Sequence, residues 1–426
     1  MARLVPLPAA LLMAAALAAC GGSAPVVRTT TTTHGKENVQ PFVKIYSGLP
    51  LHGPMAKQGR AVLAGINLAC QNANAYAHAH PGDVLIRCES LDDSGQKSGD
   101  GDLALTARHA RTVATDPRAV YYIGDLSSAA TAVSLAVLNA AGIAQVTPGD
   151  PYISVPKPQA GAPAPSPKLL RLLPTYRVQA AADMLFFEKI PPNFQEPACT
   201  RVVALAEADQ ESASLVKAMV TDAKSDGVQL LAPPTLPTKA ATVSAYEVTF
   251  HGLAPCGFVI AGSASKPAVT VTKLLRSVFP RASVVGTSGL CEPDSKWTKA
   301  VGVSPIVDQL LWCTSPVLPL NDYMGSDSFA KLYKNVHGVS DPSPYALYGY
   351  EAADLGIGMV DYLEAEGDRV VGRDAVRTDL FDTSIREAVL GQFGLLANDD
   401  SSLSSYGLYH VTPADAEPSY YLTLKP

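Results

Sequence analysis

The sequence predicts an α/β fold of two lobes, each built on a largely parallel sheet. Short β-branched runs alternate with helix-period stretches from Val43 onward, the pattern of successive strand-helix-strand units. The 426 residues exceed the roughly 250 to 300 at which a single core stops growing, so two lobes are expected. The alternation also breaks once, at a proline-rich stretch, and then restarts.

In the first half, Val43 to Ser47 reads as a strand, Met55 to Ala73 as a helix with Val62, Ile66 and Leu68 among its apolar positions, and Val84 to Cys88 as a second strand. Leu103 to Val113 is a helix, Ala119 to Gly124 a strand, Ala129 to Ala141 a helix and Ile143 to Val146 a strand. Eight prolines between Pro148 and Pro174 then disfavour any regular element and mark a boundary. Beyond it come a helix in VQAAADMLFF, a strand in RVVALAEA, a helix in SASLVKAMVTDAK, and strands in VQLL and GFVIAGS. VTKLLRSVF is a helix, SVVGTSG and QLLWCTS are strands, and Ser326 to His337 and Tyr348 to Glu366 are helices. The last forty residues read as short strands and turns.

Apolar residues make up 47% and charged residues 17% of the chain, which is the composition of a globular protein. A net charge of −6 offers no basic face for nucleic acid or anionic lipid. Arg3, the apolar run Leu4 to Leu17 and the ending Leu17-Ala18-Ala19-Cys20-Gly21-Gly22 read as a lipoprotein signal over residues 1–20, with Cys20 the acylated residue. The apolar stretch is about 15 residues and holds Pro6 and Pro8, short of the roughly 20 needed to span a bilayer. Residues 21–40, with Pro25 and the run Thr29 to Thr33, read as a flexible tether. This places the protein on the extracytoplasmic face of a cell membrane, held by a lipid anchor.

Such an address permits disulfides, and six cysteines follow Cys20: Cys70, Cys88, Cys199, Cys256, Cys291 and Cys313. Cys70 lies late in the first helix and Cys88 ends the neighbouring strand. Cys199 and Cys256 stand just ahead of strands expected to be parallel neighbours, and Cys291 and Cys313 follow or end consecutive strands. The expected pairs are therefore Cys70 with Cys88, Cys199 with Cys256, and Cys291 with Cys313. No CxxC or zinc-finger spacing points to a metal.

Catalytic patterns are missing as well. Gly286-Thr287-Ser288-Gly289 lacks the GxSxG spacing of a nucleophile elbow, and no histidine stands beside a Ser or Cys in a way that hints at a triad. The acids at Asp92-Asp93, Asp399-Asp400 and Ser98 to Asp102 lack the calcium-loop pattern and read as solvated turns, as do His78 and His80 as surface residues. In GLPLHGPMAKQG, residues 48–59, Gly53 is followed by Pro54 and Met55 where a phosphate loop needs Lys and a hydroxyl. A Gly/Pro loop from strand to helix nevertheless aims backbone N–H groups outward, as does Gly124-Asp125-Leu126-Ser127-Ser128-Ala129. Simple N-capping is the alternative duty of those serines. Both loops leave the carboxyl ends of parallel strands, where open α/β sheets hold ligands.

Taken together, GLPLHGPMAKQGRAVLAGINLA, LDDSGQ, VYYIGDLSSAATAVSLAVLNAAGIAQVTPGD and YGYEAADLG resemble, in order and spacing over residues 41–426, the periplasmic-binding type I fold. The likeness is to the branched-chain amino acid (leucine/isoleucine/valine) binding group of ABC transporter substrate-binding lipoproteins. It implies two Rossmann-like lobes with parallel central sheets, joined by a hinge the chain crosses three times. One lobe would hold 41–172 plus 318–394, the other 173–317 plus 395–426. It further implies a monomeric, cofactor-free receptor that closes on a small polar solute resembling an amino acid and delivers it to an ABC permease. The family's α-carboxylate clamp falls on Ser128, with Ser127 beside it, and on the loop Thr147-Pro148-Gly149-Asp150. The acid that meets an α-ammonium falls on Ser288, and an aromatic cover on Glu211. Glu211 or Asp150 could supply the missing counter-charge, Glu211 could be merely solvated, or the solute could lack an α-amino group. His52 and Gln58 are expected at the rim. A ligand-sensing receptor of the same fold without a transport role, and an envelope hydrolase, are the other readings.

Overall fold

The computed structural model describes residues 41–80, 83–94, 102–151, 168–189, 199–225, 227–232, 236, 250, 252–263, 265–292, 295–301, 310–367, 371–382, 385–412 and 418–426. Cys20, the leader and tether, and the acidic residues 98–101 lie outside them. Residues Gln40–Pro426 form one compact unit.

The first sheet has the order β2-β1-β3-β4-β5, all parallel. Its strands are β1 (Phe42–Leu49), β2 (Leu85–Asp92), β3 (Ala119–Ile123), β4 (Ala144–Thr147) and β5 (Leu169–Arg171). Helices α1 (Ala56–Ala79), α2 (Leu103–Thr115) and α3 (Ser128–Ala140) connect the first four strands. β3 is buried at every residue, as expected of a central strand covered by helices on both faces.

Helix α4 (Tyr176–Lys189) opens the second sheet, ordered β14-β13-β10-β9-β8-β6-β7. β6 (Arg201–Ala206), β7 (Gln229–Leu231), β8 (Gly257–Ala261), β9 (Ser283–Gly286) and β10 (Leu311–Ser315) run parallel. The tail strands β13 (Tyr406–His410) and β14 (Ser419–Leu424) add to it antiparallel. Helices α5 (Gln210–Ser225), α6 (Lys266–Val278) and α7 (Lys296–Val301) belong to this half. After β10 the chain returns to the first half, where α8 (Ser326–His337), α9 (Pro344–Ala365) and α10 (Arg373–Asp382) precede the hairpin β11 (Ile385–Ala388) and β12 (Gly391–Gly394). Buried apolar residues of α9 join those of β1, β3 and α1 in one core. Two further cores cover the two faces of the second sheet.

Glycines set the α1–α9 crossing. A Cβ on Gly65 would overlap the Ala346 carbonyl, and one on Gly349 would overlap that of Val62. The close approach therefore needs hydrogen at both positions.

One segment departs from expectation. Within the proline-rich stretch, Leu169-Leu170-Arg171 forms β5, pairs with β4 and is buried. The prolines end at Pro167 ahead of it, so the ladder amides of these three residues are intact. Helix α10, which no apolar rhythm announced, buries Val376 and Leu380.

The cysteines are joined as Cys70–Cys88, Cys199–Cys256 and Cys291–Cys313, with Cα separations of 6.4, 5.6 and 5.4 Å. Among the described residues no helix is long and apolar enough to cross a membrane, and no group of three His, Cys, Asp or Glu side chains is placed to hold a metal ion.

Candidate functional site

In both sheets the carboxyl ends of the parallel strands carry the loops rich in Gly, Pro and Ser. These loops begin with buried hydrogen-bonded frames. At the end of β3, Asp125 accepts from Tyr122 Oη at 2.9 Å and from Ser134 Oγ at 2.5 Å, while its carbonyl accepts from Thr147 Oγ1 at 2.5 Å. Asp93, at the end of β2, is buried beside it. Burial, and then each other's proximity, raises both carboxyls above the usual range, so the pair retains a proton. The β2, β3 and β4 loops are thereby fastened to one another.

On that frame Ser127 caps α3, accepting from Ala130 N at 3.4 Å. Ser128 donates its hydroxyl to Asp150 Oδ1 at 2.7 Å, and Asp150 is 1% exposed. The Gly149 N–H points to Thr147 Oγ1 at 3.3 Å, and a Cβ on Gly149 would press into Leu126. The sequence-derived clamp residues are thus gathered at one place, with the carboxylate of Asp150 as the acceptor for Ser128.

His52 is exposed on the first loop, its Nδ1 2.7 Å from Asp92 Oδ2 and its N–H donating to Ser94 Oγ at 2.8 Å. Burial would raise Asp92, but hydrogen bonds from Ser94, Leu51 and His52 outweigh it and hold the carboxyl at about 2. His52 so ties the first loop to the second.

In the other half, Ser288 is buried where β9 turns into a short 3₁₀ segment, and it donates to Gln179 Oε1 at 3.2 Å. Gln179 Nε2 lies 3.3 Å from Thr314 Oγ1, which donates to Asp183 Oδ1 at 2.7 Å. A polar chain therefore runs from Ser288 down into the second core. Burial lifts Asp183 to about 8, so it is neutral at pH 7. Glu211 is half-buried in the first turn of α5, a position that favours a negative charge.

Gln58, in the first turns of α1, donates through Nε2 to the carboxylate of Glu292, four residues beyond Ser288. Tyr345, at the start of α9, donates to Glu292 Oε1 at 3.1 Å, and Gln58 Nε2 is 3.3 Å from its hydroxyl. This triad joins a loop of the second sheet to two helices of the first. Glu292 and Tyr345 were not singled out from sequence. Their only sequence signal was position: Glu292 follows Cys291 on a strand-end loop, and Tyr345 lies just ahead of YGYEAADLG.

Two sets of strand-end loops meeting across a polar contact define a two-lobed receptor of the type I periplasmic-binding fold, with no covalent chemistry asked of its residues. The family model for periplasmic binding proteins matches residues 43–415, and the chain belongs to that family. Its members are solute-binding proteins rather than enzymes.

Among solved structures, the chain is similar to the ABC transporter substrate-binding protein of Desulfitobacterium hafniense in complex with Leu. Identity there is 16%, over 89% of this chain and 100% of that one, with a TM-score of 0.68. Similarity extends to the branched-chain amino acid transporter substrate-binding protein LivJ of Streptococcus pneumoniae in complex with isoleucine, at 16% identity, 90% and 100% coverage and a TM-score of 0.64. A solute-binding protein of R. palustris in complex with benzoate gives 14%, 90% and 96%, and 0.61. At these identities the likeness speaks for the fold. A search of curated proteins found no relative.

Proposed function

We propose that this protein is the solute-binding component of an ABC importer, lipid-anchored at Cys20 on the extracytoplasmic face of the membrane. It takes an amino acid or similar small polar solute between its lobes and works as a monomer. The lobes comprise 41–172 plus 318–394 and 173–317 plus 395–426. The observation that carries the reading is the Gln58–Glu292–Tyr345 contact, which sets the loop end of one sheet against the other. A solute held there favours the closed form to the extent that it binds that form better than the open one. Family membership and the leucine, isoleucine and benzoate complexes of the similar structures support the solute class.

A thermal-shift screen of the full-length chain against amino acids, amides, small acids and sugars tests it. At least one of these should raise the melting temperature at millimolar concentration, and Ser128→Ala should diminish the shift. If none acts, the receptor reading fails. Mass spectrometry of the chain from a bacterial membrane should show an acylated N-terminal Cys20; an unmodified Cys20 refutes the anchor.

A further inference from the structure

We infer that Glu292 is the counter-charge for a protonated amine on the solute, presented by the second lobe and braced by Gln58 and Tyr345 from the first. The inference rests on the receptor reading above and adds the chemical group the site selects.

The geometry around Glu292 is that of an anion held but not neutralised. Its carboxylate accepts from one amide N–H, of Gln58, and one phenol, of Tyr345. Both donors are neutral, and among the described residues Glu292 makes no ion pair. The titratable groups facing it are Tyr345 on α9 and Tyr409 on β13, and burial raises each phenol well above its ordinary range, so both remain uncharged. Two acceptor oxygens with about four lone-pair directions leave room for further donors beyond these two. Glu292 is also half-buried rather than sealed, so a face of the carboxylate is open.

The residue is built to stay in place. Cys291, immediately before it, is bonded to Cys313 on β10, and the turn 288–290 precedes that anchor. Burial pushes the Glu292 carboxyl up to about 7, against the hydrogen bonds from Tyr345 and Gln58 that favour its charge. A cation beside it would reverse that shift, and the same coupling seen from the solute is binding energy. A solute carboxylate in this position would instead meet like charge with nothing to offset it. Because the two donors and the acid come from different lobes, the solute amine would join a contact that exists only when the lobes meet.

Calorimetry with the full-length chain at about pH 7.5 tests this, using leucine, 3-methylbutylamine and putrescine as amine-bearing probes and 4-methylpentanoate, benzoate and glucose as amine-free ones. An amine-bearing probe should bind and the amine-free ones should not. Glu292→Gln keeps the shape and should weaken the amine by roughly 10- to 100-fold, the range of one charge-assisted hydrogen bond. Glu292→Asp, which keeps the charge, should restore part of it. Affinity should fall as pH is lowered from about 8 to 5 in the native chain and stay flat in Glu292→Gln; an unchanged melting temperature of the empty variant shows that its fold is intact. Binding of an amine-free probe, or amine binding that Glu292→Gln leaves unchanged, overturns the inference while the receptor reading stands. Failure of all six probes overturns both for solutes of this size.

Discussion

Removing Asp400 should cost about 3–5 kcal/mol of folding stability, because it strands a buried guanidinium. Arg171 ends β5 and is 4% exposed, and Asp400 is 2% exposed. The pair is bidentate: Nε to Oδ1 at 2.5 Å and a terminal nitrogen to Oδ2 at 2.6 Å, with Asn398 Nδ2 on the same carboxylate at 2.6 Å. Backbone contacts from Ser401 to Arg171 and Leu172 run alongside, so the pair fastens the 398–401 turn to the edge of the first sheet. Two charge-assisted hydrogen bonds at roughly 1.5–3 kcal/mol each bracket the same loss. Urea unfolding of Asp400→Ala, followed by circular dichroism, measures it. The double variant Arg171→Leu with Asp400→Leu discriminates the cause, since replacing both charges with apolar groups is often near neutral. A loss below about 1 kcal/mol for Asp400→Ala, or a double variant as damaged as the single one, would refute the claim that an uncompensated buried charge is responsible.

Helix packing gives a matched pair of substitutions. Gly65→Ala must push against the Ala346 carbonyl and should destabilise by about 1–3 kcal/mol, whereas Gly358, in the same α9 with nothing near its missing Cβ, should stabilise by about 0.5–1 kcal/mol as Ala in the same urea assay. Asp183 keeps its proton to about 8 when folded and loses it near 3.9 when unfolded, so the folded form binds more protons between those values. Its contribution is therefore complete below about pH 4 and is lost as pH rises through about 8; Asp183→Asn should flatten the fall of melting temperature across that window, and an unchanged slope would count against a neutral buried acid. Opening Cys199–Cys256 by Cys199→Ser with Cys256→Ser releases a loop with a sequence separation of 57, for a loss of about 4 kcal/mol in the chain-entropy account, read as a lowered urea midpoint.

Much of the fold is legible in the sequence because it is local. The strands announce themselves as β-branched runs, and their alternation with helices leaves parallel pairing as the economical arrangement, which is what BP-type neighbours such as Val202 and Gly257 at the heads of β6 and β8 display. The cysteine pairs follow from the same reasoning, since Cys199 and Cys256 each precede one of those two strands. What escapes is structure imposed from a distance. Helix α1 runs to Ala79, past the end of its apolar rhythm, because Asn74 bonds both the N–H and the carbonyl of Ile86, at 2.9 and 2.7 Å. β5 is three residues long, and only the neighbouring β4 ladder distinguishes it from the proline-rich stretch before it.

The site divides along the same line. Ser127, Ser128, Gly149 and Asp150 occupy short loops whose Gly, Pro and Ser content is visible in one dimension, and the Asp93–Asp125 frame explains why those loops lie together. The hydroxyl of Ser128 goes to a carboxylate of the chain itself, a fact that residue types alone do not contain. Glu292 is further from view, because its partner Gln58 is 234 residues away and belongs to the other sheet. A search for a counter-charge by alignment looks at Ser288 and stops. Geometry asks instead which acid reaches across, and that question moves the electrostatic centre of the cleft by four residues, from a serine that donates inward to a glutamate that faces the opposite lobe.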